Sequence, residues 1–219
     1  MQKVRKCMLI VSMLLFPVTI YYFSPALIIT AGLEGIISGS FIVFGLMLVG
    51  SIFFGRLFCA YLCPGGGMQE CMFAVNSKNT KTDWKYKIKY VIWGIWVIIV
   101  AACYIWGRGV HQINFFYQTQ YGVSVTDPGA YIVYYGIVLL IALPALLGGK
   151  RAFCHYFCWM APFMIVGTKI RQVLHLPGVH IAVNNNHCIS CKKCNQSCPM
   201  SIDVEAEVKQ GKISSPECI

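Results

Sequence analysis

Apolar and polar positions segregate in this chain over whole segments rather than single turns. Four stretches, 7–33, 35–55, 90–107 and 128–149, contain no charged residue and run for 27, 21, 18 and 22 residues. A helix needs about 20 apolar residues to cross a hydrocarbon core ~30 Å thick. Each stretch is therefore expected as a membrane-spanning helix, the third lengthened by snorkelling of Lys87 and Lys89. A fifth uncharged run, 152–168, is interrupted by His155 and Pro162 and is expected as a surface segment. Pro17, Pro25 and Pro144 fall inside the apolar runs, where proline kinks a helix that its neighbours can still satisfy.

Composition supports a membrane protein. Hydrophobic residues make up 57% and charged residues 12%, about half the charge of an ordinary soluble domain. That excludes a typical soluble globular protein and a disordered one. The net charge of +10 could signal nucleic acid, but its distribution points elsewhere. If the start lies in the cytoplasm, four spans place 1–6, 56–89 and 150–219 inside, and Glu34 and 108–127 outside. Seventeen of the 18 basic residues are then inside and only Arg108 is outside, as the positive-inside rule requires. The lysines at 78, 81, 85, 87 and 89 are accordingly expected as a juxtamembrane anchor, and no nucleic-acid partner is expected. The first run is too long for a signal peptide and has no A-x-A site. Tyr21, Tyr22, Phe23, Trp84, Trp106, Tyr131, Tyr134 and Tyr135 suit anchors at the headgroup level.

Two segments repeat. Arg56-Leu-Phe-Cys-Ala-Tyr-Leu-Cys63 and Arg151-Ala-Phe-Cys-His-Tyr-Phe-Cys158 share five of eight residues at an offset of 95. Each copy follows an apolar run at its cytoplasmic end, so the chain is expected to have two parallel halves. On a helix, Cys59 with Cys63 and Cys154 with Cys158 would share a face. Four sulfurs from the two halves suit zinc or an iron–sulfur cluster. Buried structural cysteines are the alternative. A disulfide within each pair fits poorly on a reducing side. The second copy has Trp159 where the first has Pro64, and Pro162 follows three positions later. His155 is open to three roles: ligand, hydrogen-bond donor to a sulfur, or bystander. Cys7, Cys71 and Cys103 have no spaced partner and are expected to pack as apolar residues. None of the five histidines, His111, His155, His175, His180 and His187, lies mid-span where a buried haem would need one.

The clearest motif is Cys188-Ile-Ser-Cys191-Lys-Lys-Cys194-Asn-Gln-Ser-Cys198-Pro199, the C-x2-C-x2-C-x3-C-P run of bacterial ferredoxins. Zinc ribbons use two C-x2-C pairs across a long loop, which this spacing does not match. Cys218-Ile219 repeats Cys188-Ile189 thirty residues later, where a second run would begin. A truncated chain would leave Cys198 and Cys218 to a second cluster. A complete one would let Cys218 close a single [4Fe–4S] cluster with Cys188, Cys191 and Cys194. Between them, alternating Ile202, Val204, Ala206 and Val208 predict a short strand or turn over the cluster, with Asp203, Glu205 and Glu207 on a solvated face.

Taken together, Cys59-Cys63-Pro64, Cys154-Cys158, the run 188–199 and Met200-Ser-Ile-Asp-Val resemble the polyferredoxin-type membrane proteins of the NapH- and NosR-like family. The outside loop of about 20 residues leaves no room for the flavin-bearing domain of the NosR-like branch, so the NapH-like branch is nearer. The resemblance implies a mainly α fold of about four membrane helices over 1–175 and a small ferredoxin-like α+β domain over 176–219. It implies one or two [4Fe–4S] clusters on Cys188, Cys191, Cys194, Cys198 and Cys218, with a further iron–sulfur or metal centre at the paired cysteines. It also implies a multi-pass protein of the prokaryotic cytoplasmic membrane, its N-terminus and ferredoxin domain cytoplasmic. Its partners would be lipid and a respiratory protein or quinone. The function expected is electron carriage rather than stand-alone turnover, since no nucleophile with its base is present. Redox sensing or metalloenzyme assembly would use the same ligands. A zinc transporter would place charged ligands inside the spans, which are almost without them.

Overall fold

Proline decides where the first apolar run breaks. In the computed structural model, which describes residues 2–80, 84–179, 181, 183, 188–213 and 215–219, helix α1 (Gln2–Leu14) stops ahead of Pro17. Helix α2 (Phe16–Thr19) and a 3-10 turn, Ile20–Phe23, continue at 60° to it. Proline lacks an N–H and its ring collides with the carbonyl four residues back. A second proline opens α3 (Pro25–Leu33), where Ser24 Oγ accepts the Leu27 N–H as an N-cap. The run 7–33 is therefore not one straight span.

The run 35–55 is also shorter as a helix than its sequence suggests. Its first residues form strand β1 (Ile36–Ser38), parallel to β2 (Gln112–Asn114), with Ile37 opposite Ile113. Ser38 then caps α4 (Gly39–Phe54) by accepting from the Phe41 N–H. Sixteen residues give a rise of about 24 Å, short of the ~30 Å core. The remaining runs form α7 (Ile88–Trp106) and α8 (Pro128–Gly148), the latter carrying Pro144. Among the described residues these two helices are long and apolar enough to cross a membrane, or three spans if α1 and Phe16–Phe23 count as one bent span. The four regular spans expected are thus supported for two or three.

Between the long helices lie short ones: α5 (Leu57–Tyr61), α6 (Pro64–Cys71), α9 (Ala152–Tyr156) and α10 (Ala161–Val173). The run 152–168, expected at the surface, is instead core. Met164 and Ile165 are fully buried, and Phe163 meets Phe44, Trp93 and Trp96 edge-on at 5.1, 5.5 and 5.8 Å. Helix α10 lies so close to α4 that a Cβ on Gly167 would stand 1.8 Å from Ser51 Oγ. Small residues permit this approach where larger ones would hold the backbones apart.

The two ends of the bundle are distinct. At one end the strands β1 and β2 meet, and the Ser124 and Val125 N–H groups donate to Val18 and Pro17 carbonyls. At the other, the Lys150 N–H donates to the Lys78 carbonyl, and both repeats and the C-terminal residues gather. There α11 (Lys193–Ser197) and α12 (Val204–Lys209) pack together. Of the strand or turn expected at 202–208, residues 204–208 are instead helical, because Asp203 caps α12 and Glu205 pairs with Lys209 one turn on. Among the described residues of 188–219 there is no strand, so the α+β character expected of this part is not seen.

Candidate metal centre

The two repeats share a short helix and a wide turn, although Arg151 is left-handed at φ 48° and Arg56 is not. A long helix ends at a glycine with positive φ, Gly55 at 60° or Gly149 at 98°, a conformation that favours glycine. The repeat arginine follows, then a five-residue helix carrying the first cysteine. The chain then closes one wide turn. The Cys63 N–H donates to the Phe58 carbonyl at 2.9 Å, and the Cys158 N–H donates to the Phe153 carbonyl at 2.9 Å. A helix with proline in its first turn comes next, Pro64 in α6 and Pro162 in α10. The shift from Pro64 to Pro162 lengthens the second turn, so that Cys63 is the N-cap of α6 whereas Cys158 lies two residues before Met160, the N-cap of α10. The second cysteine thus lies beyond the short helix, not on its face as the spacing suggested. Cys63 caps α6, its Sγ accepting the Gly66 N–H at 3.4 Å.

All four repeat cysteines are buried, each 4% exposed. Cys63, Cys154 and Cys158 line a cavity of about 290 Å³ with Phe153 and Trp159. Cys59 is not among its lining residues; its Sγ lies 3.8 Å from Met164 Sδ. Gln69, fully buried, joins the halves: its Nε2 donates to Cys154 Sγ at 3.1 Å and to the Gly65 carbonyl, and its Oε1 accepts the Phe153 N–H. Burial pushes the Cys59 thiol up and the Cys63 thiol up to about 12. A hydrogen bond from Cys158 pulls Cys154 down against its burial, helped by Arg151 and Gln69. Among the described residues no three Cys, His, Asp or Glu side chains converge as a single bound ion requires.

Charge around these sulfurs is positive and buried. Arg56 is 2% exposed and Arg151 0%. Arg56 Nη2 lies 4.0 Å from Cys59 Sγ, and Arg151 Nη1 donates to the Cys59 carbonyl at 2.9 Å. Glu70 balances Arg151 and also holds Arg5 by two bonds of 2.7 Å. Glu217 balances Arg56 at 2.7 Å and Lys89 at 2.9 Å, and accepts from the Tyr86 hydroxyl. Lys89 is therefore fully buried in an ion pair and does not snorkel. Lys78 and Lys87 are exposed as an anchor would be, while Lys81 and the Lys85 side chain lie outside the described residues. Sequence reasoning missed Gln69, Glu70 and Glu217. Their signal, a lone polar residue in an apolar stretch or beside a cysteine, was too weak to single out.

His155 is buried and held neutral, its imidazole lowered to about 4, with burial the main cause. A backbone hydrogen bond ties it to Met200, and its Nε2 has no partner. Arg56 Nε and Arg151 Nε are likewise buried without a partner. Four buried thiols, with the Arg56 guanidinium at Cys59 Sγ, the Gly66 N–H at Cys63 Sγ and the Gln69 amide at Cys154 Sγ, fit an anionic, thiolate-bound cluster, whose sulfurs accept such hydrogen bonds.

The C-terminal cysteines stand apart from this set. Cys188, Cys191 and Cys194 are exposed, and Cys198 and Cys218 half-buried. Burial and the neighbouring Cys198 thiol push Cys218 up. The segment docks on the bundle through Ser201 Oγ, which accepts from the Thr80 N–H, through Asn79 and Lys150 donating to the Asn195 and Gln196 carbonyls, and through Glu217. His180 and His187 lie outside the described residues. Cys7 and Cys71, expected to pack as apolar residues, are exposed, and Cys103 is half-buried.

A 4Fe-4S binding domain family matches residues 38–82 and 131–176. The chain is thus an iron–sulfur protein whose cofactor is a [4Fe–4S] cluster, and both matched segments contain a repeat cysteine pair. Among curated proteins it is similar to two uncharacterized proteins of Methanocaldococcus jannaschii. MJ0750 is 24% identical over 79% of this chain and 68% of its own length. MJ0749 is 25% identical over 75% of this chain and 58% of its own. It is also similar to YccM of Escherichia coli K12, whose name assigns it provisionally to electron transport, at 22% identity over 88% of this chain and 55% of YccM. The chain thus spans between about half and two thirds of the relatives it matches. No solved structure matches it.

Proposed function

We propose that this chain is an integral-membrane electron carrier in which Cys59, Cys63, Cys154 and Cys158 together hold one [4Fe–4S] cluster at the cytoplasmic edge of the bilayer. The observation that carries the reading is the burial of all four repeat cysteines, three of them (Cys63, Cys154 and Cys158) lining one cavity, within the segments that match the 4Fe-4S binding family. When bound, the cluster supplies one-electron exchange. The chain supplies four thiolates, keeps water away with Phe153, Trp159 and Met164, and offers the Gly66, Gln69 and arginine N–H groups to the sulfurs. The ferredoxin-type run at Cys188, Cys191, Cys194 and Cys198, with Cys218, would hold a second, exposed centre that meets a soluble donor or acceptor. The membrane-side partner is a respiratory protein or a quinone. The domain division at 175/176, the inside position of the N-terminus and the NapH-like placement belong to this proposal.

Electron paramagnetic resonance with iron and sulfide analysis on anaerobically purified protein tests it. Cys59→Ser and Cys154→Ser should each abolish the same signal while the tail signal survives. If both variants keep every iron atom and every signal, the repeat cysteines are not ligands.

A further inference from the structure

We infer that Arg56 and Arg151, the first residue of each repeat, set the reduction potential of the four-cysteine centre, with Glu70 and Glu217 as opposing charges. This rests on the reading that the repeat cysteines hold the cluster and adds to it which groups tune the cluster.

Both guanidinium groups are buried rather than at the surface. Arg56 approaches Cys59 Sγ. Arg151 holds the Cys59 carbonyl and lies against the turn that positions Cys63, its Nη2 3.2 Å from where a Gly66 Cβ would stand. Each keeps its Nε–H unspent. An ion pair that served only to fasten helices would not need both guanidinium groups to meet Cys59, one at its sulfur and one at its carbonyl. Reduction adds one electron, and so one negative charge, to the thiolate-bound centre. A fixed cation in a low-dielectric site stabilises that added charge more than it stabilises the oxidised state, so it raises the potential. A carboxylate at the same place lowers it. The net tuning is therefore a contest between Arg151 and Arg5 on one side and Glu70 on the other, and between Arg56 with Lys89 and Glu217.

The opposite signs give the test. The full chain is purified anaerobically, and the midpoint potential of the signal lost in Cys59→Ser is measured by mediated titration with dithionite. Arg151→Gln should lower it by at least a tenfold change in the reduction equilibrium, about 59 mV for one electron. Arg151→Lys, which keeps the charge, should recover most of that loss. Glu70→Gln, which keeps all four sulfurs and both arginines, should raise it. An unchanged potential in Arg151→Gln with iron and sulfide intact, or shifts of the same sign in Arg151→Gln and Glu70→Gln, overturns the inference. If Arg151→Gln fails to assemble, Glu70→Gln decides alone: a rise supports the inference, and no change or a fall overturns it. Absence of any signal lost in Cys59→Ser would overturn the cluster assignment itself, a separate outcome.

Discussion

Replacing Glu217 with glutamine should loosen the C-terminal segment from the bundle. Its carboxylate is shared by two buried cations, Arg56 at 2.7 Å and Lys89 at 2.9 Å, and the Arg56 guanidinium also donates to the Glu217 carbonyl at 3.0 Å. Both cations are 2% exposed or less. Removing one partner of such a buried pair costs about 3–5 kcal/mol, because the charges left behind are unsolvated. The carboxyl itself gives a second measure. Burial would raise it, but Arg56, Lys89 and the Tyr86 hydrogen bond outweigh burial and hold it at about 2 instead of 4.5. At 1.36 kcal/mol per pH unit this corresponds to about 3 kcal/mol. Three kcal/mol is roughly a hundredfold in an equilibrium. Hydrogen exchange over residues 213–219 at pH 7 should therefore quicken about a hundredfold in Glu217→Gln. The sign with pH follows: a depressed carboxyl contributes fully above its unfolded value and loses that contribution as pH falls through the folded one. Wild-type exchange, corrected for its intrinsic pH dependence, should be flat from pH 8 to 5.5 and accelerate between 4.5 and 2. Equal exchange in the two proteins at pH 7 would refute the view that this pair docks the segment.

Three further outcomes are expected. Gly167→Ala should lower the thermal midpoint in detergent, since the added Cβ meets Ser51 Oγ and the Leu48 carbonyl at 1.8 and 2.7 Å and overpacking costs about 1–3 kcal/mol; an unchanged midpoint would mean that α4 and α10 separate freely. Gln69→Leu strands the buried Phe153 N–H, at about 1–3 kcal/mol, and should destabilise the junction of the halves, which a parallel melt reads. Under air, iron should leave in two phases, the faster removed by Cys191→Ser, because the tail cysteines are exposed and the repeat cysteines buried; a single phase unaffected by Cys191→Ser would contradict that division.

What could be read from the sequence was what depends on composition and local spacing. The uncharged runs at 90–107 and 128–149 became α7 and α8 nearly residue for residue, because nothing in them competes with a helix. The repeat at Arg56 and Arg151 was visible by identity, and its two copies do share a backbone turn. The errors came from tertiary context. Hydropathy saw 7–33 as one run, but Pro17 and Pro25 divide it. The pairing of Ile36–Ser38 with Gln112–Asn114 is a long-range contact that shortens α4 and leaves no local trace. Lys89 looked like an anchor because its partner, Glu217, is 128 residues away. The alternation at 202–208 was overridden by the Asp203 cap and the Glu205–Lys209 pair.

On the proposed reading the buried repeat cysteines hold a cluster by themselves. The most direct measurement is iron and sulfide analysis with Mössbauer spectroscopy on a full-length chain in which Cys188, Cys191, Cys194, Cys198 and Cys218 are all serine. Four irons and four sulfides per chain, with the quadrupole doublets of a [4Fe–4S] cluster, are expected. A folded, iron-free protein would contradict that reading.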